Sequence, residues 1–262
     1  MIYDCLIVGA GPSGLSAAVQ LARYGHKIAL FERRKIGGLL LNANRVENYL
    51  GYQDCTGKEL VKHFKKNLTT SVIYESVLEI IQEKMGFTLR TDKKNYHGKT
   101  VLVATGTEPI KLPDQNVHYD LVGFPLHSKK KTVLILGGGD VGFDYALQLQ
   151  RRGFKPTIWT HRKTTCLPIL KARAKAARIP FKENVTLSTL EDLPFDHILV
   201  AIGRVSSKPK IHVQKKAEGL YFAGDVTHPA LRQVQIAAAE GLQAALAIHN
   251  YLTNAAHPRK RK

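Results

Sequence analysis

Cysteine is scarce in this chain of 262 residues: Cys5, Cys55 and Cys166 are all there is. An odd number, so widely spaced, supports neither a secreted disulfide framework nor a zinc knuckle nor a vicinal redox pair, and it points to a reducing compartment. Long apolar runs are missing as well. No stretch reaches the roughly 18 to 20 residues of a membrane span, and the apolar N-terminus has no basic lead and is interrupted by glycines, unlike a signal peptide. A soluble, cytoplasmic protein without a metal site is expected. Acidic residues are also few: 21 Asp and Glu stand against 39 Lys and Arg, a formal charge of +18. What the chain does have is 44% hydrophobic residues, enough for one large domain or two modest ones with their own cores.

Glycine is placed twice in the same way. After the apolar run of residues 3 to 8 come Gly9, Gly11, Pro12, Ser13 and Gly14, and Leu15 to Tyr24 continues as an amphipathic helix. The spacing Gly-x-Gly-x-x-Gly suits a dinucleotide: one glycine for the tight turn, one for approach of the backbone to a pyrophosphate, one for close helix packing. The phosphates then face free N–H groups at a helix N-terminus. A second strand, Lys27 to Phe31, ends in Glu32, where an acid would bond ribose hydroxyls. A glycine turn without a ligand is the competing reading.

The device recurs at Gly137, Gly139, Asp140, Val141 and Gly142, after the strand Thr132 to Leu136 and before a helix over Phe143 to Arg152. Its ending differs. The strand Pro156 to Trp159 runs into Thr160, His161, Arg162 and Lys163, and cationic groups suit a 2′-phosphate where an acid would suit a hydroxyl. NADPH is therefore expected there, with NADH as the alternative and a solvated basic turn as the competing reading. Two dinucleotide sites in one chain imply a relay from nicotinamide to a bound flavin.

Further motifs follow the same plan: Val46 to Gly51, Ala104-Thr105-Gly106, Ala201-Ile202-Gly203, and Ala223-Gly224-Asp225 with Arg232-Gln233-Val234 before an alanine-rich helix. Across nearly its full length the chain resembles the low-molecular-weight thioredoxin reductase family of two-domain FAD and NAD(P) flavoproteins. The resemblance implies an α/β fold of two Rossmann-like dinucleotide-binding domains. The NAD(P) domain (residues 111–215, trimmed) is inserted into a discontinuous FAD domain (1–110 and 216–262). It also implies FAD at Gly9, Gly11, Pro12, Ser13, Gly14, Glu32, Gly38, Ala104, Thr105, Gly106 and Gly224. Asp225 would bind its ribityl and pyrophosphate end, Asn48 would lie near the flavin, and Arg232, Gln233 and Val234 would approach its pyrimidine edge. NADP would lie at Gly137 to Gly142, His161, Arg162, Lys163, Ile202 and Gly203. A homodimer is expected.

The pattern is broken in three places. Disulfide-reducing members carry Cys-x-x-Cys just before the second fingerprint, whereas residues 117 to 124 here read Val-His-Tyr-Asp-Leu-Val-Gly-Phe. Dithiol exchange needs an attacking and a resolving sulfur, so that chemistry is not expected. Leu39 follows Gly37-Gly38 where the family has glutamine, and only about thirty residues separate Lys163 from Phe195. The expected activity is NAD(P)H-dependent reduction of FAD with onward transfer to an external acceptor. The alternatives are a non-catalytic or regulatory FAD-binding protein and a lone-thiol reductase using Cys55 or Cys166. Basic residues at 129–131 and 151–152, together with Lys171, Lys175 and Arg178, which are expected to share one helical face at i, i+4 and i+7, suit an acidic carrier such as ferredoxin or flavodoxin. A general basic bias or nonspecific nucleic-acid affinity is the competing source of that charge.

Overall fold

In the computed structural model the residues described are 1–113, 116–127, 131–187, 189–191, 193–214 and 217–256. Lys129, Lys130, the 215/216 boundary and residues 257–262 lie outside them. The chain begins β1 (Ile2–Val8), α1 (Pro12–Arg23), β2 (Ile28–Phe31), a 3-10 turn (Gly38–Asn42), α2 (Gly57–Lys66) and β3 (Val72–Ile73). A meander follows, β4 (Val77–Gln82), β5 (Phe87–Thr91) and β6 (Asn95–Val103), and then β7 (Thr107–Pro109). Next come β8 (Val117–His118), β9 (Thr132–Leu136), α3 (Asp140–Arg151), β10 (Lys155–Trp159), α4 (Pro168–Ala176), β11 (Phe181–Lys182) and β12 (His197–Val200). The chain closes with β13 (Arg204–Ser206), β14 (Lys210–His212), β15 (Leu220–Phe222) and α5 (Val234–Ala256). Among the described residues no helix is long and apolar enough to cross a membrane.

Two compact units result: residues 1–40, 58–108 and 205–262 form the first, and residues 41–57 and 109–204 the second. In the first, an eight-stranded sheet has the order β14-β4-β5-β6-β1-β2-β3, with β15 also on β6. Strand β6 serves two arrangements: Asn95 to Gly98 pair antiparallel with β5, and Val101 to Val103 pair parallel with β15, while β1 runs parallel along its other edge. Because side chains alternate along a strand, Cys5 and Ile7 face α1 and α5, while Leu6 and Val8 face Ile80, Phe87 and Leu89 of the meander. With both faces covered, Cys5 to Val8 are buried without interruption, as parallel strands require.

The second unit holds an all-parallel sheet ordered β11-β10-β9-β12-β8. Val133 and Ile135 pack on Phe143, Leu149 and Ala174 of α3 and α4. The opposite face, Leu134, Leu136, Ile198 and Val200, is covered by the loop side chains Leu112, Tyr119 and Phe195 among others, and by Trp159 of β10. Arg178 lies beyond the end of α4, in a left-handed conformation with φ 54°, so Lys171, Lys175 and Arg178 do not share one helical stripe.

Residues 41–57 join the second unit through buried polar bonds. Asn42 Oδ1 accepts the backbone N–H groups of Leu121 and Val122, both at 3.0 Å, and its carbonyl accepts Gln148 Nε2 at 3.0 Å. Asn44 donates its N–H to Asp144, whose carboxyl is pushed up to about 6 by burial. Arg173 pairs with Glu47 at 2.8 Å. Truncating Asn42 strands two backbone donors, one of them on the buried Leu121. Asn42→Ala is therefore expected to lower unfolding stability by about 2 kcal/mol, read from the denaturant midpoint. A midpoint within error of the parent would show that these donors find other acceptors.

Candidate functional site

Each fingerprint turn sits at the carboxyl end of its sheet and is shaped by its glycines. Gly9 has φ 105°, and a Cβ there would overlap the carbonyl oxygen of Ala104. A Cβ on Gly14 would overlap the carbonyl oxygen of Gly9. In the second unit Gly137, φ 131°, faces the carbonyl of Ala201 in the same way, and Gly142 faces the carbonyl of Gly137. Ala104-Thr105-Gly106 and Ala201-Ile202-Gly203 are thus the backstops of the two turns. Ala104 N–H bonds Val8 O at 2.8 Å and Ala201 N–H bonds Leu136 O at 2.7 Å, which sets each backstop beside its fingerprint strand.

The middle glycines are different. Gly11 has φ −76° and Gly139 φ −92°, ordinary values for any residue. A Cβ on Gly11 would have nothing within 4 Å, and one on Gly139 would meet only Thr165 Oγ1 at 3.8 Å. Neither backbone conformation nor packing among the described residues requires glycine here, and the space beside each is open. Both glycines are the N-caps of their helices and have no side-chain cap. Ser13 Oγ, in the first turn of α1, is buried and has no hydrogen-bond partner among the described residues. Such a cradle fits a pyrophosphate.

Around the first cradle the expected residues converge within one unit. Glu32 Oε2 accepts the Ala10 N–H at 3.0 Å and Oε1 accepts the Arg34 N–H at 2.8 Å, tying the turn to the end of β2. Gly37 donates to Ala10 O at 2.8 Å, and a Cβ on Gly38 would stand 3.5 Å from Gly11 Cα. Gly224, φ 82°, packs on the Ser13 side chain, which holds the half-buried Asp225 at the start of α1. Arg232 donates to Pro229 O, Gln233 O accepts the Ala237 N–H, and Val234 opens α5. Asn48 is not brought into this unit; it lies exposed in the 41–57 segment of the second.

Sequence reasoning missed Glu240. It is the one acid in α5, and its carboxylate accepts the Gly224 N–H at 2.6 Å and pairs with His228, so it shapes the turn that carries Asp225. A lone acid in an alanine-rich helix was the available signal.

At the second cradle Thr160 packs on Gly138, and Thr165 N–H bonds Gly138 O at 2.9 Å. His161, Arg162 and Lys163 are exposed between them. Asp140 Oδ1 accepts the Leu167 N–H at 2.7 Å, so that carboxylate serves the loop. Lys171 is engaged with Glu183 at 3.2 Å. The three cysteines are free thiols. Burial pushes Cys5 up to about 12 and also raises Cys166, the opposite of an activated thiolate.

Comparison with known proteins agrees with this geometry. Residues 3–241 match the family model for pyridine nucleotide-disulphide oxidoreductase. A thioredoxin reductase of Bacillus subtilis is 30% identical, covering 96% of this chain and 95% of its own. A ferredoxin–NADP reductase of Streptococcus gordonii is 29% identical, with 86% of each chain covered. The crystal structure of Lactococcus lactis thioredoxin reductase superposes with a TM-score of 0.85 at 24% identity, over 96% of this chain and 99% of that one. The chain belongs to the pyridine nucleotide-disulphide oxidoreductase family, in its thioredoxin reductase-like branch. It is an NAD(P)H-dependent flavoprotein oxidoreductase.

The two kinds of glycine separate by substitution. Gly14→Ala drives a Cβ into a backbone carbonyl and is expected to cost the apoprotein about 3 kcal/mol or more. Gly11→Ala, in open space at an ordinary φ, should stay within about 1 kcal/mol of the parent. Denaturant midpoints of the two apoproteins check this, and equal losses would contradict it.

Proposed function

We propose that the first cradle holds FAD, that the second holds NADPH, and that electrons leave for an external acceptor without passing through a protein disulfide. The observation that carries the reading is the pair of middle glycines, open in both units, in a chain with no cysteine between Cys55 and Cys166. FAD bound there would supply the redox chemistry, two-electron transfer between the nicotinamide and an external acceptor. The chain's own residues do the holding. Ser13 and Gly14 present N–H groups and a spare hydroxyl to the pyrophosphate of FAD. Asp225, carried on the turn that Gly224 and Glu240 fix, would reach the ribityl and pyrophosphate end, and Glu32 would border the ribose. In the second unit Arg162 and Lys163 meet the 2′-phosphate of NADPH. Gly11→Ala therefore folds but purifies with less FAD, and a fully loaded variant would show that FAD lies elsewhere.

The acceptor belongs to the same reading. An acidic carrier, ferredoxin or flavodoxin, fits the charge of +18, and one relative carries the name ferredoxin–NADP reductase. The basic face that suits it lies on the first unit and not on α4. Helix α2 buries Leu60 and Val61, packs Val61 against Gly37, and exposes Lys58, Lys62, Lys65 and Lys66 beside the loop that exposes Arg33, Arg34 and Lys35. None of these seven cations is in an ion pair among the described residues. A reducing, cytoplasmic setting and a homodimer complete the proposal.

Reversing Lys58, Lys62 and Lys66 to glutamate should slow reduction of the carrier about tenfold at low ionic strength and spare a neutral quinone. Raising the salt should remove the difference. If ferredoxin and flavodoxin react no faster than the quinone in the parent protein, the acidic-carrier assignment fails.

A further inference from the structure

The three cations of the second cradle lie on a strap, residues 160–165, fastened on both sides of its exposed tip. On one side Thr160 N–H bonds Lys182 O at 3.0 Å and Thr160 O accepts the Val185 N–H at 3.0 Å. On the other, Thr165 N–H bonds Gly138 O at 2.9 Å, which ties the strap to the fingerprint itself. Between them His161, Arg162 and Lys163 are exposed, and none is in an ion pair among the described residues. Long cationic side chains on a loose turn lose rotamer freedom on meeting a phosphate; a pre-set backbone reduces that loss.

One side chain finishes the fastening. Glu183 Oε1 accepts the Thr164 N–H at 3.0 Å, the Thr164 hydroxyl at 2.6 Å and Lys171 Nζ at 3.2 Å. The network is closed: the Thr164 hydroxyl donates a hydrogen bond to Glu183 and accepts one from Lys171 Nζ at 2.6 Å. Lys171 also lies over the Phe181 ring at 5.3 Å. The Thr164 bonds and then Lys171 hold the Glu183 carboxyl down to about 2, so it stays ionised through the working pH range. Asn184, at φ 58°, turns the chain directly after Glu183 and lets Val185 reach Thr160.

We infer that Glu183 is the positioning residue for nucleotide choice, its carboxylate fixing the strap at Thr164 so that Arg162 and Lys163 are presented to the 2′-phosphate. The inference rests on the assignment of NADPH to the second cradle. It makes a prediction opposite in sign to a charge argument. If Glu183 acted only as a negative charge near the phosphate, removing it would leave Lys171 unpaired and tighten binding. If it acts by position, removing it loosens the strap and weakens recognition of the 2′-phosphate, even though the site becomes more positive.

The test is calorimetric titration of the purified full-length holoprotein with 2′,5′-ADP and with 5′-ADP. The parent is expected to prefer 2′,5′-ADP by at least about tenfold. Glu183→Ala should reduce that preference to about threefold or less, with 5′-ADP affinity unchanged. Glu183→Gln keeps an acceptor oxygen for the Thr164 N–H and should retain most of the preference. Thr164→Val, a near-isosteric change that avoids reliance on the glutamate variants folding, should give an intermediate ratio. Amide exchange at Thr164 and Thr165 should quicken in the alanine variant and not in the glutamine one. A preference that is unchanged or larger in Glu183→Ala overturns the inference and leaves the NADPH assignment standing. A parent that binds the two probes equally, with no response to Arg162→Ala or Lys163→Ala, overturns the NADPH assignment and the inference with it.

Discussion

Both cradles depend on one steric constraint, the approach of glycine to a backbone carbonyl. Gly9 lies against Ala104 and Gly14 against Gly9; Gly137 lies against Ala201 and Gly142 against Gly137. These four approaches exclude a Cβ, and together they set the end of the strand, the start of the helix and the backstop strand in one fixed arrangement. The middle glycines owe nothing to it. The space they leave open is a consequence of the fit around them, and a cofactor phosphate can use it without deforming the turn.

Given equal cradles, what distinguishes the units is the charge each places nearby. In the first, an acid ends β2, and Glu32 is engaged with the backbone of the turn. In the second, β10 runs into three exposed cations on a strap held by Thr160, Thr164 and Thr165. The buried and half-buried acids follow a common logic. Glu240, Glu183 and Asp144 all accept backbone N–H groups of loops, at Gly224, Thr164 and Asn44. Glu240 and Glu183 fix loops that carry cradle residues, while Asp144 ties the 41–57 segment to α3. The basic excess is not evenly available: Arg173 and Lys171 are paired, while the lysines of α2 are in no ion pair among the described residues.

The fingerprints, both helices that follow them and the Glu32 and His161-Arg162-Lys163 endings were legible because each is local, a matter of spacing and type within about twenty-five residues. The double use of β6 was not, since the strand reads as one apolar stretch from Thr100 and its first half is fixed by the meander opposite. Nor was the grouping of residues 41–57 with the second unit. The donors to Asn42 stand 79 and 80 residues further on, and Gln148 stands 106 further on. Glu183 is similarly hidden, because nothing beside it in sequence marks it as the acceptor for Thr164. The shared stripe expected for Lys171, Lys175 and Arg178 fails for a local reason, the helix ending at Ala176 before a left-handed residue.

The central claim is that nicotinamide reduces a flavin in this chain without help from thiols. Its most direct measurement is anaerobic mixing of the yellow holoprotein with NADPH and, separately, with NADH, in the parent and in a variant with Cys5, Cys55 and Cys166 all changed to serine. Bleaching of the flavin absorbance in both proteins, faster with NADPH at limiting concentration, is the predicted result. No bleaching of the parent by either nucleotide, or bleaching abolished by the serine changes, would contradict it.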